Sequence, residues 1–509
     1  MDIKKTSYQK SEEFINRSKK LKEIRSLNID PYPHKFSPNY TFNELKEKYG
    51  KKEVGNSEDA KEGKTENIKI AGRLVLFRAM GKNAFSQIQD EEGRIQIMFN
   101  KESTQVEGLQ EGNALKFIEK KIDLGDIIGI EGNIFRTQKG ELTIFAKKVN
   151  ILCKSLLPLP DKYSGLADKG TRYKKRWLDL ISKKEVVDNF ILRSKIIKAI
   201  REYLDNNGFL EVETPILQNV YGGAEAHPFK THLNALHQDM FLRISLEIPL
   251  KKLIVGGFLK IYEIGKVFRN EGIDKIHNPE FTEIEAYVAY ADYNDIMSLV
   301  ENLFEAILKK IFKTTKIQYE DKIIDLTSPW IKMTMIESIK KYAQIDINNK
   351  NEKELIKILE KKIDISELKE KKRGELIALI FEEFVIEKLI QPHHIIDHPI
   401  ETTPLCKMKR DSKERLVERF ESFILGKELI NAYTELNDPE LQRKLLEEQI
   451  LSKSKKKEIP PLDEDFIEAI CQGMPPTGGF GMGIDRLVMF LSNATSIRDV
   501  IFFPIIKLE

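Results

Sequence analysis

The sequence predicts an α+β protein of two parts: an N-terminal five-stranded β-barrel and a larger C-terminal domain built on a mostly antiparallel sheet flanked by helices. Three observations carry this reading. Five strand-like segments separated by turns begin at residue 68, with one helical segment between the third and the fourth. Beyond a proline-marked break, helical and strand patterns mix up to the C-terminus. Strand patterns in this second part place carboxylates and aromatics on one face, too polar for a core and suited to lining a cavity.

Composition narrows the class. With 509 residues, 41% hydrophobic and 32% charged, the chain suffices for two or three domains and is too apolar for disorder. Lys and Arg (83) nearly balance Asp and Glu (80), so any contact with nucleic acid must come from local basic surfaces. Cys153, Cys406 and Cys471 stand far apart, which argues against a disulfide framework and a structural zinc site. No apolar run approaches the roughly 18 to 20 residues of a membrane span, and the first residues lack a signal-peptide core. A cytoplasmic protein with no membrane partner is expected.

From residue 8 to 27, Phe14, Leu21, Ile24 and Leu27 recur near helical spacing until DPYP (Asp30 to Pro33) stops the run, predicting one amphipathic helix. Up to Arg25 this arm holds eight basic residues against four acidic ones, a surface that either meets phosphates or is simply solvated. The stretch Lys51 to Asn67 has no periodicity and reads as a loop, so residues 1–66 form a helical arm and linker. Strands start at Ile68, Asn83, Gly93, Asp126 and Glu141, and a helix starts at Asn113, the order of an OB barrel over residues 67–155. Ile88, Ile95, Ile97 and Phe99 share one strand face, and Phe85, Gln87, Arg94 and Gln96 the other. Phe85 on a polar face suits stacking of an unpaired base. A core phenylalanine in a register shifted by one competes with this, and on the pattern alone it weighs somewhat more.

The break LLPLPDKY (Leu156 to Tyr163) and the basic connector from Lys169 predict a hinge over 156–180, followed by a domain at 181–509. A helix at 186–206 places Val187, Phe190, Ile197, Ile200 and Leu204 on one side and ends at Asn207-Gly208. A helical insertion lies near 340–390.

Neither a P-loop nor a GxGxxG turn is present. Leu259 to Tyr293 reads as strand, polar loop, strand, and period 2 points Phe281, Glu283, Glu285 and Tyr287 one way and Thr282, Ile284, Ala286 and Val288 the other. Arg269, Glu271 and His277 lie in the connecting loop, where charged groups can reach a triphosphate and a metal. Asn431, Tyr433 and Glu435 share a later strand face, with Glu421 and Glu428 upstream, two carboxylates that suit Mg²⁺ or are solvated surface groups. Glycines 478, 479, 481 and 483 clear space for close approach before a helix over Ile484 to Leu491.

In this order the segments resemble the three signature motifs of class II aminoacyl-tRNA synthetases: a long helix followed by GFLEVETPIL with Pro215, the FRNEG hairpin with Arg269, and GGFGMGIDR with Arg486. The resemblance is closest to the lysine-specific members and runs almost the whole chain, through LGDIIG, TQKGEL, GGAEAHPF, THLNAL, HNPEFT, AYADY, ELND and IRDV. It implies a homodimeric lysine:tRNA ligase acting on L-lysine, ATP and tRNA(Lys) with Mg²⁺. By motif position, Glu247 and the backbone at Gly223 receive the α-amino group of lysine, and Arg269 with Asn431 the carboxylate. Glu435 and Tyr287 receive the ε-ammonium, with Glu285 nearby. The ATP positions are Arg269, Glu271, His277, Phe281, Glu428, Gly483 and Arg486, with adenine between Phe281 and Arg486, and the metal positions are Glu421 and Glu428. Arg269 and Arg486 carry the catalytic charge stabilisation. Phe85 and Gln96, with Arg78 nearby, match anticodon-reading positions, and this resemblance overturns the core reading of Phe85.

The chain departs from the family at His227, where many relatives have arginine, and at Leu246 and Pro249, which replace a proline and a tyrosine beside Glu247. Two other classes stay in view: a synthetase-like tRNA-binding regulator, which typically lacks motif arginines or pocket acids, and an enzyme that lysylates a protein, which usually lacks the OB domain. The aspartate and asparagine siblings share the architecture but not an acidic side-chain pocket.

Overall fold

The computed structural model describes residues 6–160, 166, 168–410, 415–453 and 462–507. The chain divides into two compact units, Met1–Val187 and Asp188–Glu509.

The first unit is a closed barrel of β1 (Asn67–Met80), β2 (Asn83–Asp90), β3 (Gly93–Asn100), β4 (Ile127–Arg136) and β5 (Leu142–Cys153). The hydrogen-bonded order is β3-β2-β1-β4-β5, and parallel pairing of Gln96–Met98 with Thr143–Phe145 returns β5 to β3. Closure leaves no long unpaired edge. Ile70, Ile88, Ile97, Phe99, Ile130 and Ile144 fill the interior. Helix α1 (Glu12–Ser26) precedes the barrel, and α2 (Ala114–Lys121) lies between β3 and β4.

On α1 two cations, Arg17 and Lys20, are tied into the fold, while Lys19, Lys22 and Arg25 are exposed. Arg17 is buried, pairs with Glu13 at 3.1 Å and donates to the Leu124 carbonyl at 3.0 Å, while Lys20 pairs with Asp123. The stretch predicted as a loop at 51–67 contains a helix at Ser57–Glu62. Asn56 and Asp59 cap it reciprocally, and Gly63, at φ +80°, ends it. Its Ala60 packs on Met98, Phe135 and Phe145 outside the barrel.

The second unit is built on an eight-stranded sheet. Its strands are β6 (Leu210–Glu211), β7 (Lys260–Phe268), β8 (Glu280–Ala289), β9 (Ile331–Thr334), β10 (His393–Pro399), β11 (Leu416–Ile424), β12 (Lys427–Thr434) and β13 (Thr477–Gly483). Their order is β9-β10-β11-β12-β13-β8-β7-β6, antiparallel except for the outer pairs β9–β10 and β6–β7. The mostly antiparallel sheet expected from the sequence is therefore present.

Helices α3 (Lys184–Asn206) and α5 (Tyr293–Ile311) cover one face, and α4 (Glu247–Val255), α6 (Glu464–Cys471) and α7 (Ile484–Leu491) complete the set used below. Ile196, Ile200 and Leu204 of α3 and Val300, Leu303 and Phe304 of α5 belong to one core with Ile284, Ala286, Ala432 and Phe480 of the central strands. Period 2 then turns the alternate residues of those strands away from this core. On α3, Val186 and Ile196 are buried more deeply than the expected Val187 and Ile197, a small rotation of the apolar stripe. The insertion contains helices at Glu352–Leu359 and Arg373–Phe384, with Leu355, Leu359, Leu376 and Ile380 in a core of their own. Among the described residues no helix is long and apolar enough to cross a membrane.

One polar tie joins three of these elements. Arg193 of α3 pairs with buried Asp485 of α7 at 2.5 Å, and the second Asp485 oxygen accepts the Thr282 amide of β8 at 2.7 Å. Arg193→Met leaves that carboxylate without its cation. It is expected to lower the unfolding free energy by about 3 kcal/mol, as read from urea denaturation.

Candidate active site

The outward face of β8, β12 and β13 lines a cavity of about 520 Å³. As the alternation predicts, Phe281, Glu283, Glu285 and Tyr287 of β8 face it, and so do Asn431 and Tyr433 of β12 and Glu435 just after it. Glu247 enters from the first turn of α4, and Gly223 and Ser245 from the loops before it.

Space here is set by two glycines. Gly479 of β13 lies opposite Tyr287, and a Cβ there would come within 2.5 Å of both Glu435 Oε1 and the Tyr287 ring. Gly223, at φ +83°, would place a Cβ 2.1 Å from Ser245 Oγ. Neither site admits a side chain without displacing the acids or the residues that frame them.

At the deep end the carboxylates are bound into the protein in different ways. Glu285 accepts from the Leu246 amide at 2.8 Å and from the Tyr287 hydroxyl at 2.7 Å. Glu247 accepts from the Tyr433 hydroxyl at 3.0 Å and pairs with Lys251. Glu435 is fully buried and pairs through Oε2 with the same Lys251, while its Oε1 has no partner. Burial pushes the Glu435 carboxyl up to about 8, with Glu247 adding to the rise and Lys251 opposing it. Burial also lifts Glu285 well above the usual range, reinforced by Glu283 and Glu247. For Lys251, burial works against the charge, but Glu247 and Glu435 outweigh it and raise its pKa.

The other end carries the motif arginines. Arg269 donates to the Ile244 carbonyl at 3.2 Å, lies 3.8 Å from Glu283, and holds its guanidinium 5.0 Å from the Phe281 ring centroid. Arg486, on α7, donates to the Glu428 carbonyl at 3.2 Å and meets His277 Nε2 at 3.1 Å. His277 is in turn fixed by Asp274 at 2.7 Å. Glu271, Gly483, Glu421 and Glu428 complete this part of the lining.

Burial, then the neighbouring Glu421, raises Glu428 to about 7, against the opposing charges of Arg486, Arg419 and Arg269. Both present hard oxygen donors to the cavity. Among the described residues no group of three or more His, Cys, Asp and Glu side chains could hold a metal ion. Two carboxylates alone are an incomplete set for a divalent ion, whose other oxygens would have to come from outside the protein.

The residues predicted in the barrel belong to the first unit. Ala84, Ser86 and Ile88 of β2 point inward, so Phe85 is half-buried on the outer surface, packed on Met98, Phe135 and Phe145. The core register is thereby excluded. Arg78 is exposed directly opposite Phe85 on β1, and Gln96 donates to Thr143 Oγ1 at 2.9 Å.

Two residues with clear structural importance were not among the predicted site residues. Arg419 donates to Asn431 Oδ1 at 3.0 Å and to Glu421 at 2.5 Å, coupling the two predicted groups. Lys251 joins Glu247 to Glu435. Local signals existed for both: Arg419 sits two residues before Glu421 on one strand face, and Lys251 four residues after Glu247 on a helix.

Residues 168–507 match the family model described as tRNA synthetases class II (D, K and N), and residues 68–152 match an OB-fold nucleic acid binding domain. The chain belongs to the class II tRNA synthetases. Within them it is 55% identical to the lysine–tRNA ligase of Chlamydia caviae over 518 residues, covering 99% of both chains. It is 48% identical to the lysine–tRNA ligase of Staphylococcus epidermidis over 495 residues, covering 96% of this chain and 97% of the relative. The Clostridium botulinum enzyme of the same name is 48% identical over 508 residues, covering 98% and 96%.

The raised carboxyls set a pH dependence. Glu435 and Glu428 bind protons more tightly folded than unfolded, so the native state gains protons relative to the unfolded chain. Below about pH 6.5 the buried His393, His394 and His398, which burial keeps neutral, act in the opposite sense, so stability should fall with rising pH only between about 7 and 8, and Glu435→Gln should flatten that fall in urea titrations.

Proposed function

We propose that the chain is a lysine–tRNA ligase that activates L-lysine with ATP and transfers it to the 3′ end of tRNA(Lys). The observation that carries this is the buried Glu435 carboxyl, whose Oε2 meets Lys251 and whose Oε1 has no partner, in a cavity whose same end holds Glu247, Glu285 and the Tyr287 ring. A substrate with two ammonium groups and one carboxylate supplies what these groups lack. An aspartate side chain would meet carboxylates there, a repulsion of several kcal/mol in a buried site.

In this reading Glu435 and Tyr287 receive the ε-ammonium, and Glu247 with the backbone at Gly223 the α-amino group. Arg269 and Asn431 direct the substrate carboxylate toward the α-phosphorus of ATP. The carboxylate oxygen forms the new bond to phosphorus, the bond to the bridging oxygen breaks, and pyrophosphate leaves. The terminal ribose hydroxyl of tRNA then attacks the lysyl carbonyl and AMP departs. Arg269 and Arg486 stabilise charge that grows on the phosphate oxygens, and no enzyme nucleophile is needed. Phe281 offers a ring for adenine, and His277, Glu271 and Gly483 border the nucleotide. Mg²⁺ held by Glu421 and Glu428 would neutralise phosphate charge.

Phe85, Gln96 and Arg78 lie together on the outer face of the barrel and suit an unpaired anticodon base, by stacking, hydrogen bonding and charge respectively. Exposed Leu210 of the edge strand β6, with Phe258 and Leu259 just before the neighbouring β7, favours a homodimer, and the protein is read as cytoplasmic.

Amino-acid-dependent exchange of pyrophosphate into ATP, run with each of the twenty amino acids, tests substrate choice: lysine should stand alone. Glu435→Gln is expected to lower lysine-dependent exchange by about a hundredfold or more with ATP affinity nearly unchanged, and wild-type exchange in that variant would refute the assignment. Phe85→Ala is expected to weaken tRNA charging by about tenfold while sparing exchange, and equal losses in both assays would contradict the division of labour.

A further inference from the structure

We propose that Lys251 is a positioning residue for amino-acid selection: from behind the cavity wall, its buried ammonium holds in place the two carboxylates that grip the two ammonium groups of the substrate. The inference rests on the lysine-ligase reading above and extends it to a residue outside the cavity lining.

The placement is unusual for a lysine. Its side chain is fully buried, and it is absent from the residues that line the cavity. Its Nζ makes ion pairs with Glu247, one helical turn earlier on α4, and with Glu435, which follows β12. The rings of Tyr433 and Phe466, 5.6 and 6.0 Å from Nζ, close around it. Lys251 therefore does not stand where substrate would sit. It links helix to sheet by way of the acids themselves.

Charge explains why such a residue is needed. Around Glu435 stand Glu247 from α4, Glu285 and Tyr287 from β8, Tyr433 from β12 and Cys406 paired across from it, while Arg419 of β11 acts on Tyr433 and Cys406. Before substrate arrives, Lys251 is the cation in contact with both Glu247 and Glu435. Without it Glu435, already lifted by burial, would hold its proton to higher pH and could not receive an ammonium in its charged form. A neutral residue of the same length would fill the space but leave Glu435 protonated beside Glu247.

The test is lysine-dependent pyrophosphate exchange between pH 6.5 and 9 in wild type, Lys251→Met and Lys251→Arg. In wild type the KM for lysine should fall as pH rises and level near 8, as Glu435 ionises, with the ATP KM flat. Lys251→Met should raise the lysine KM at pH 7 by about tenfold or more and move the levelling point alkaline by about one unit, leaving the ATP KM within about twofold. Lys251→Arg keeps the cation and should leave the levelling point in place. An unmoved levelling point in Lys251→Met, or equal rises in both KM values, overturns the proposal. Should Lys251→Met not fold, Lys251→Arg decides: a raised lysine KM with an unmoved levelling point supports the role, and a displaced levelling point or an unchanged lysine KM overturns it. A wild type that exchanges with another amino acid and not with lysine overturns instead the reading on which the proposal rests.

Discussion

The structure of the second unit is organised around a concentration of negative charge that water scarcely reaches. Glu247, Glu285 and Glu435 are buried within one end of a single cavity, and like charges in such a place resist ionising together. The protein manages them with three different counterweights. Glu285 has an amide and a phenol, Glu247 has a phenol and Lys251, and Glu435 has Lys251 alone. Their unequal satisfaction gives the site polarity. The group least supplied by the protein is the one with most to gain from a cationic ligand.

The sheet makes this arrangement affordable in structural terms because one set of strands serves two environments. Ile284 and Ala286 of β8 belong to the hydrophobic core, while Glu283, Glu285 and Tyr287 from the same strand meet the cavity. Helices α3 and α5 cover the apolar face, and the tie from Arg193 through Asp485 to the Thr282 amide anchors the strand that carries the acids. Glycines of β13, between β8 and β12, keep the centre of the polar face open.

Much of this was legible in the sequence wherever a short period decides the outcome. Alternation along Phe281 to Val288 assigned each side chain to the face it occupies, and the same rule placed Ile88 inside and Phe85 outside the barrel once the register was correct. The six-residue helix Ser57–Glu62 was not legible from hydrophobic periodicity, since it holds too few repeats. Its capping box, Asn56 with Asp59, carried the better signal. Hardest to read was Lys251. Its spacing from Glu247 suggests an ordinary surface pair on a helix, and only the tertiary fold, by bringing Glu435 against it, turns that pair into a buried bridge. Arg419 escaped for a similar reason, because its tie to Asn431 crosses between strands.

The amide of Leu246 carries a last consequence. Many relatives resembled by this chain have proline at that place, and a proline has no N–H to give Glu285. Here the proline stands three residues later, at Pro249 in the opening turn of α4, where a helix tolerates the missing donor. The central acid of the wall is thus clamped by main chain, a contact indifferent to side-chain identity. The Leu246 side chain is itself buried in the core beside Ile248 and Leu250, so this one residue serves the packing with its side chain and the acid with its main chain, and proline there would take the second service away.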